Sequence, residues 1–239
     1  MGLPPLAAAA LRRMPLCRDA VLAWRRLHDR CADVLLNIAT VPAADPAPRR
    51  RASRFGDAHG FAHLQYGLIA CLMRTLPLSP DDVFMDLGCG KGRTLCLFAR
   101  RPIRKCIGVE IDPELAGIAA ANARRLRGRR CPIEIVRGDA ADADFSQASI
   151  VWLFNPFGDN TTRYVVERIR ASLLATPRRV RIMHVRGPGD DAPDFGALLG
   201  CCMARDITVP SFSNGRAKLL DCPWAASADA LPNRGLSCR

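Results

Sequence analysis

Short apolar runs alternate with longer amphipathic segments through most of the chain. Val83-Phe84-Met85-Asp86, Lys105-Cys106-Ile107-Gly108-Val109-Glu110, Ile133-Glu134-Ile135-Val136, Ser149-Ile150-Val151-Trp152-Leu153-Phe154 and Val180-Arg181-Ile182-Met183-His184-Val185 read as strands. Between them, Thr94 to Arg100, Pro113 to Arg127 and Arg163 to Leu174 carry helical spacing. Pro113 stands in a first turn, where its missing N–H costs nothing. This alternation predicts an α/β domain with a parallel, doubly wound sheet covered on both faces. The end of the pattern changes. Ala204 to Val209 and Ala217 to Asp221 flank an Asn214-Gly215 turn signal and predict an antiparallel hairpin.

Upstream, residues 1–40 read as helical, with Val21, Leu22, Leu27, Val34, Leu35 and Ile38 near helical periodicity. The segment from Val41 to Arg51 holds three prolines and a basic run, the signature of a linker. A further helical pattern runs from Phe61 to Leu76, and Ser79-Pro80-Asp81-Asp82 forms a turn before the first strand. The expected organisation is an N-terminal helical extension and linker (1–55), one α/β domain (56–222) and a loose tail (223–239). The helix caps the domain, covers a substrate or makes a dimer contact; the pattern alone does not choose.

Composition narrows the function classes. With 239 residues, 49% hydrophobic and 24% charged, the chain is of ordinary globular make-up. No apolar stretch reaches the roughly 18 residues of a membrane span. Leu3 to Ala10 is apolar but precedes Arg12 and Arg13, the reverse of a secretion signal, so the expectation is cytoplasmic. The net charge of +12 invites a nucleic-acid partner. Only Lys91, Lys105 and Lys218 are lysines, so an arginine bias of a GC-rich genome explains the charge equally well. The 11 cysteines show no CxxC pair and no Cys/His ligand spacing, and read as buried small hydrophobes rather than a metal site. His59 and His63 lack a third ligand and read as surface or packing residues; His184 closes the fifth strand.

The chemistry concentrates at Asp86-Leu87-Gly88-Cys89-Gly90-Lys91-Gly92. Glycines let the backbone turn off a strand and approach a ligand without a Cβ in the way. A phosphate-binding loop needs Ser or Thr after Gly-Lys, and here Gly92 follows. A dinucleotide loop needs its third glycine one residue later, which disfavours a dehydrogenase. What distinguishes this loop is Asp86 before it and the acidic Glu110 at the end of the next strand.

Phe84 to Gly92 resembles motif I of the class I, Rossmann-like methyltransferases that use S-adenosyl-L-methionine. Ile107-Gly108-Val109-Glu110-Ile111-Asp112 is similar to their motif II, Gly138-Asp139-Ala140 to motif III, and Asn155-Pro156-Phe157 stands where motif IV belongs. The resemblance covers roughly residues 60–222. It implies a mostly parallel seven-stranded sheet with an antiparallel last strand. It also implies that Asp86 faces the methionine amino group, that Gly88, Cys89, Gly90 and Gly92 line the cofactor, and that Glu110, beside Ile111, binds the ribose diol. Asp139 and the Ala140 N–H would hold the adenine, and Tyr66 would touch the cofactor from the helix before the first strand.

For transfer, Asn155 supplies a side-chain oxygen that accepts from a target N–H, Pro156 stiffens the loop, and Phe157 offers a ring for stacking. The motif resembles the Asn-Pro-Pro-Tyr type of amino-group methyltransferases but lacks the second proline and has Phe for Tyr. The expected activity is methyl transfer to a nitrogen of RNA or protein. A small-molecule methyltransferase and a non-catalytic binding module are the competing readings.

Overall fold

The computed structural model describes residues 15–41, 53–59, 64–154, 156–186, 195–200, 203–207 and 216–223. The described helices are α1 (Pro15–Leu36), α2 (Tyr66–Met73), α3 (Arg93–Phe98), α4 (Pro113–Arg125), α5 (Asp159–Ala175) and α6 (Phe195–Leu199). The strands are β1 (Val83–Leu87), β2 (Lys105–Glu110), β3 (Ile133–Arg137), β4 (Ile150–Phe154), β5 (Arg179–Arg186), β6 (Met203–Ile207) and β7 (Arg216–Pro223). They form one seven-stranded sheet in the order β3-β2-β1-β4-β5-β7-β6. The pairs among β1 to β5 are parallel, and β7 runs antiparallel to both β5 and β6. The doubly wound sheet and its reversed last strand are therefore as expected. The chain order switches direction beside β1, where β2 lies on one side and β4 on the other, so the crevice for a ligand opens at the carboxyl ends of these strands.

In-register residues of neighbouring parallel strands project to one face. On the first face, Phe84, Trp152 and Met183 pack with Leu36, Leu68, Leu72, Leu95 and Phe98. The Phe84 and Phe98 rings stack 3.7 Å apart, and the Trp152 ring lies against Phe98 at 5.7 Å. On the second face, Met85, Leu87, Val151 and Leu153 meet Val165 and Ile169 of α5 and Phe195 of α6. The central strands are buried except at Lys105 and Phe154 at their ends, as parallel strands covered on both sides must be.

Several boundaries differ from the sequence expectation, each for a non-local reason. α5 begins at Asp159 rather than Arg163. The Asp57 carboxylate accepts from the Thr161 backbone N–H (3.1 Å) and hydroxyl (2.5 Å), which anchors the extra turn. α6 was not expected; it is five residues long and is held by burial of Phe195 and Leu199. The hairpin strands form, while its turn at 208–215 lies outside the described residues, as do residues 1–14, most of the Pro/Arg segment and the C-terminal tail.

The N-terminal helix closes over the first face of the sheet. Asp33 of α1 accepts from the Tyr66 hydroxyl (2.5 Å), the Thr40 hydroxyl (2.7 Å) and the Thr40 and Val41 N–H groups. These hydrogen bonds hold its carboxyl below the usual range against the opposing effect of burial, which is the largest single influence. The outer side of α1 is apolar and exposed at Val21, Trp24, Leu27, Val34 and Leu35. No described helix is long and apolar enough to cross a membrane.

Candidate active site

The glycine loop leaves β1 and hooks over the end of β2. The Gly88 and Cys89 N–H groups both donate to the Val109 carbonyl, at 2.9 and 3.0 Å. Gly88 has φ +71°, and a Cβ there would lie 2.7 Å from the Pro156 Cβ. Only glycine satisfies both the left-handed backbone and the close approach. Motif I and the candidate motif IV thus touch at this point. Gly108 allows a second close approach: a Cβ would meet the Leu95 side chain at 2.3 Å and the Cys89 sulfur at 2.8 Å. α3 and the loop therefore lie directly on β2.

Glu110 ends β2 and is buried. One carboxylate oxygen accepts from the Gly90 N–H (2.8 Å) and the other from the Asp112 N–H (2.9 Å). Asp112 in turn caps α4 by accepting from Glu114 and Leu115 N–H groups. One carboxylate thereby ties the glycine loop to the start of the next helix. Ile111 follows directly, half-buried.

Asp86 is 4% exposed. Burial, reinforced by the charge of nearby Glu110, pushes its carboxyl well above the usual carboxylate range. Burial and the same two carboxylates push the Cys89 thiol up as well, which disfavours its thiolate.

Asp86 opens onto a cavity lined by Thr40, Leu64, Gly88, Cys89, Lys91, Arg93, Thr94, Trp152 and Phe154. Trp152 flanks Asp86 in register on β4. The pattern of alternation along β4 brings Phe154 to the same side, where it is half-buried. Arg93, Trp152, Phe154 and Thr40 were not anticipated as site residues. A period-two reading of β4 from Asp86 finds the two aromatics. Nothing local marks Arg93 or Thr40.

The other expected residues fall as follows. Gly90 gives its N–H to Glu110, and Gly92 leads into α3. Asp139 caps a single 3-10 turn at Ala140 to Asp142 by accepting from the Ala141 N–H (3.0 Å). Its second oxygen accepts from the Arg54 N–H at 2.7 Å. Ala140 is buried beside it. Tyr66 is buried and directs its hydroxyl to Asp33, and the Arg93 guanidinium lies 4.5 Å from its ring centre. Tyr66 is not among the cavity-lining residues; it meets the site through Arg93. Phe157 differs most from expectation. It is 5% exposed and packs in the second-face core with α5, because an apolar ring beside that core is drawn into it. Pro156 adjoins Gly88, and its carbonyl accepts from the His59 N–H (3.0 Å). Asn155 and His63 lie outside the described residues. His184 shares register with Leu153, so it faces the second side of the sheet and packs edge-on against Phe195. Among the described residues, no group of three His, Cys, Asp or Glu side chains is arranged for a metal ion. Cys31 is exposed and Cys71 half-buried, whereas Cys89, Cys96, Cys106 and Cys131 are buried.

Known proteins share this framework. Residues 84–174 match the family model described as a methyltransferase domain. A protein-lysine N-methyltransferase of Saccharolobus islandicus is 34% identical over 84 residues, 35% of this chain and 52% of that protein. A probable ribosomal RNA small subunit methyltransferase A of Methanosarcina mazei is 26% identical over 153 residues, 60% of this chain and 52% of that one. The chain thus spans about half the length of these curated relatives. An RNA methyltransferase from Salinibacter ruber, solved with S-adenosyl-L-homocysteine, superposes with a TM-score of 0.50 at 22% identity, over 72% of this chain and 100% of that one. The strand order, the reversed β7 and this superposition define the class I, Rossmann-like methyltransferase fold.

Proposed function

We propose that the protein is an S-adenosyl-L-methionine-dependent methyltransferase acting on a nitrogen of RNA or protein. The observation that carries this reading is the pair of buried carboxylates around the glycine loop. Asp86 is shut into a cavity where burial opposes its charge, which suits a cationic ligand group. Glu110 is fixed at the end of β2 by two N–H donors, and a carboxylate held in place is an acceptor-only group, which suits a vicinal diol. Gly88 leaves a surface that a Cβ would fill.

S-adenosyl-L-methionine supplies a methyl group already activated by its sulfonium, so the protein need not create the electrophile. Asp86 binds the amino group of the methionine moiety. Glu110 holds the ribose hydroxyls, with Ile111 alongside. Asp139 and the Ala140 N–H take the adenine edge, and the backbone of Gly88, Cys89, Gly90 and Gly92 borders the ligand. Asn155 accepts from the N–H of the acceptor amine and aims its lone pair, with Pro156 fixing the loop against Gly88. Thr40 and Leu64, on the N-terminal side, keep water from the cavity.

The macromolecular acceptor is favoured by the net charge of +12 and by the names of the two curated relatives, one acting on protein lysine and one on ribosomal RNA. The place of Thr40 and Leu64 in the cavity wall favours a second reading, a small-molecule acceptor held beside the N-terminal segment. Transfer of a radiolabelled methyl group into fractionated cell lysate tests both. Label in RNA or protein supports the first reading and label in small molecules the second. An absence of transfer to any fraction would count against the activity itself.

A further inference from the structure

Four buried side-chain polar atoms among the described residues have no hydrogen-bond partner, and two of them fall on residues lining the Asp86 cavity. One is Nη2 of Arg93 and the other is Nε1 of Trp152. The two side chains are 4% and 0% exposed. A buried donor left unpaired is costly, so two on residues lining one cavity call for an acceptor that the chain itself does not supply.

Both donors are rigidly held. Arg93 donates from Nη1 to Asp29 Oδ2 (2.6 Å) and to the Leu64 carbonyl (2.9 Å), and from Nε to the Thr40 hydroxyl (2.7 Å). Its plane rests on the Tyr66 ring. Three partners from three segments thus fix one edge of the guanidinium and leave Nη2 over. Trp152 is wedged by Phe84 and Phe98, which fix the direction of its N–H. Both residues share the cavity with Asp86, the group suited to an ammonium. A carboxylate acceptor beside an ammonium is the head of an α-amino acid.

Resting on the cofactor reading above, we propose that Arg93 Nη2 and Trp152 Nε1 bind the carboxylate of the cofactor's amino-acid end, and that α1 is a working part of this site. Asp29 acts as a positioning residue: its carboxylate orients Arg93 and touches no ligand. The N-terminal helix therefore sets the preference of the site for a cofactor that carries a carboxylate.

The test is calorimetry on the full chain with S-adenosyl-L-methionine and with decarboxylated S-adenosyl-L-methionine, which keeps the ammonium, sulfonium and nucleoside. The wild-type protein should bind the decarboxylated ligand at least about 10-fold more weakly, as expected for lost hydrogen bonds to a charged group. Equal affinities would overturn the proposal and leave the cofactor reading standing. Failure of both ligands to bind would bring down both. Trp152→Phe should weaken S-adenosyl-L-methionine about 10-fold or more and leave the decarboxylated ligand within about twofold. Asp29→Asn should show the same selectivity, since a merely structural role would weaken both ligands alike; an equal loss for both would count against Asp29 as a positioning residue. The wild-type comparison of two ligands needs no variant to fold.

Discussion

The ion pair between Arg93 and Asp29 is buried on both sides, at 4% side-chain exposure each, with N–O contact at 2.6 Å. Removing one partner of such a pair strands the other without compensation and costs about 3–5 kcal/mol. Asp29 also accepts from the Tyr66 N–H at 3.3 Å, so its loss frees a backbone donor at the start of α2 as well. Asp29→Ala is therefore expected to lower stability by about 3–5 kcal/mol. For a chain of this size that corresponds to a melting point lower by about 6–20 °C. Asp221→Ala provides the control. Its partner Arg179 forms a contact of 2.5 Å, yet the Asp221 and Arg179 side chains are 23% and 59% exposed, so solvent screens the pair and its loss should be much the smaller of the two. Urea denaturation of the three proteins at low and high salt measures both. The Asp29 loss should persist at high salt, while the Asp221 loss fades. Replacing both members of the buried pair, as Asp29→Leu with Arg93→Met, should recover most of the stability because apolar side chains fill the space without a desolvation penalty. An Asp29→Ala loss no larger than the Asp221→Ala loss would refute this account of how α1 is held.

Asp86→Asn should stabilise the ligand-free protein at neutral pH and abolish cofactor binding. The Asp86 carboxyl is raised by burial and then by Glu110, so its contribution to stability is full below the ordinary carboxylate range and is lost as the pH rises toward its folded value. The gain in the variant should accordingly shrink as the pH is lowered, and urea midpoints across pH would reveal it; a pH-independent difference would contradict the assignment. For the same reason, cofactor affinity in the wild type should climb with pH through the Asp86 titration, with proton release visible as buffer-dependent binding heat. Gly88→Ala should cost about 1–3 kcal/mol from the left-handed backbone alone. It should also part the loop from Pro156 and weaken cofactor binding; an alanine variant of native affinity would remove the close approach from the account. Asn155→Ala should retain cofactor binding and lose about 100-fold in turnover, since it misaligns the acceptor. Unchanged turnover would assign residues 155 and 156 a purely structural role.

Legibility in the sequence followed the range of the forces involved. β2 is fixed by a local apolar run with a charged end, and its span is as read, Lys105 to Glu110. Asp86, the loop glycines and Glu110 are recognisable because strand, turn and strand follow each other within one short stretch of chain. The hairpin strands were visible from their alternation, although Asn214-Gly215 lies outside the described residues. Arg93 was not recognisable. It is one arginine among many, and its role depends on Asp29, 64 residues away, and Thr40, 53 away. The early start of α5 depends on Asp57, 104 positions upstream. Phe157 was expected to face a ligand because motif position alone suggested it. Its burial is decided by α5, which no local pattern connects to it. The helix read as an extension proves to supply Asp29 and Asp33 to the first face, since those carboxylates satisfy donors that only the folded chain brings near.

Binding of S-adenosyl-L-homocysteine, followed by titration calorimetry on the wild type and on Glu110→Ala, tests cofactor recognition at the glycine loop most directly. Saturable one-to-one binding to the wild type is expected, with loss of most of the affinity in the variant, in which the glycine loop also loses its tether at Gly90. No heat of binding at millimolar ligand, or an unchanged affinity in Glu110→Ala, would contradict it.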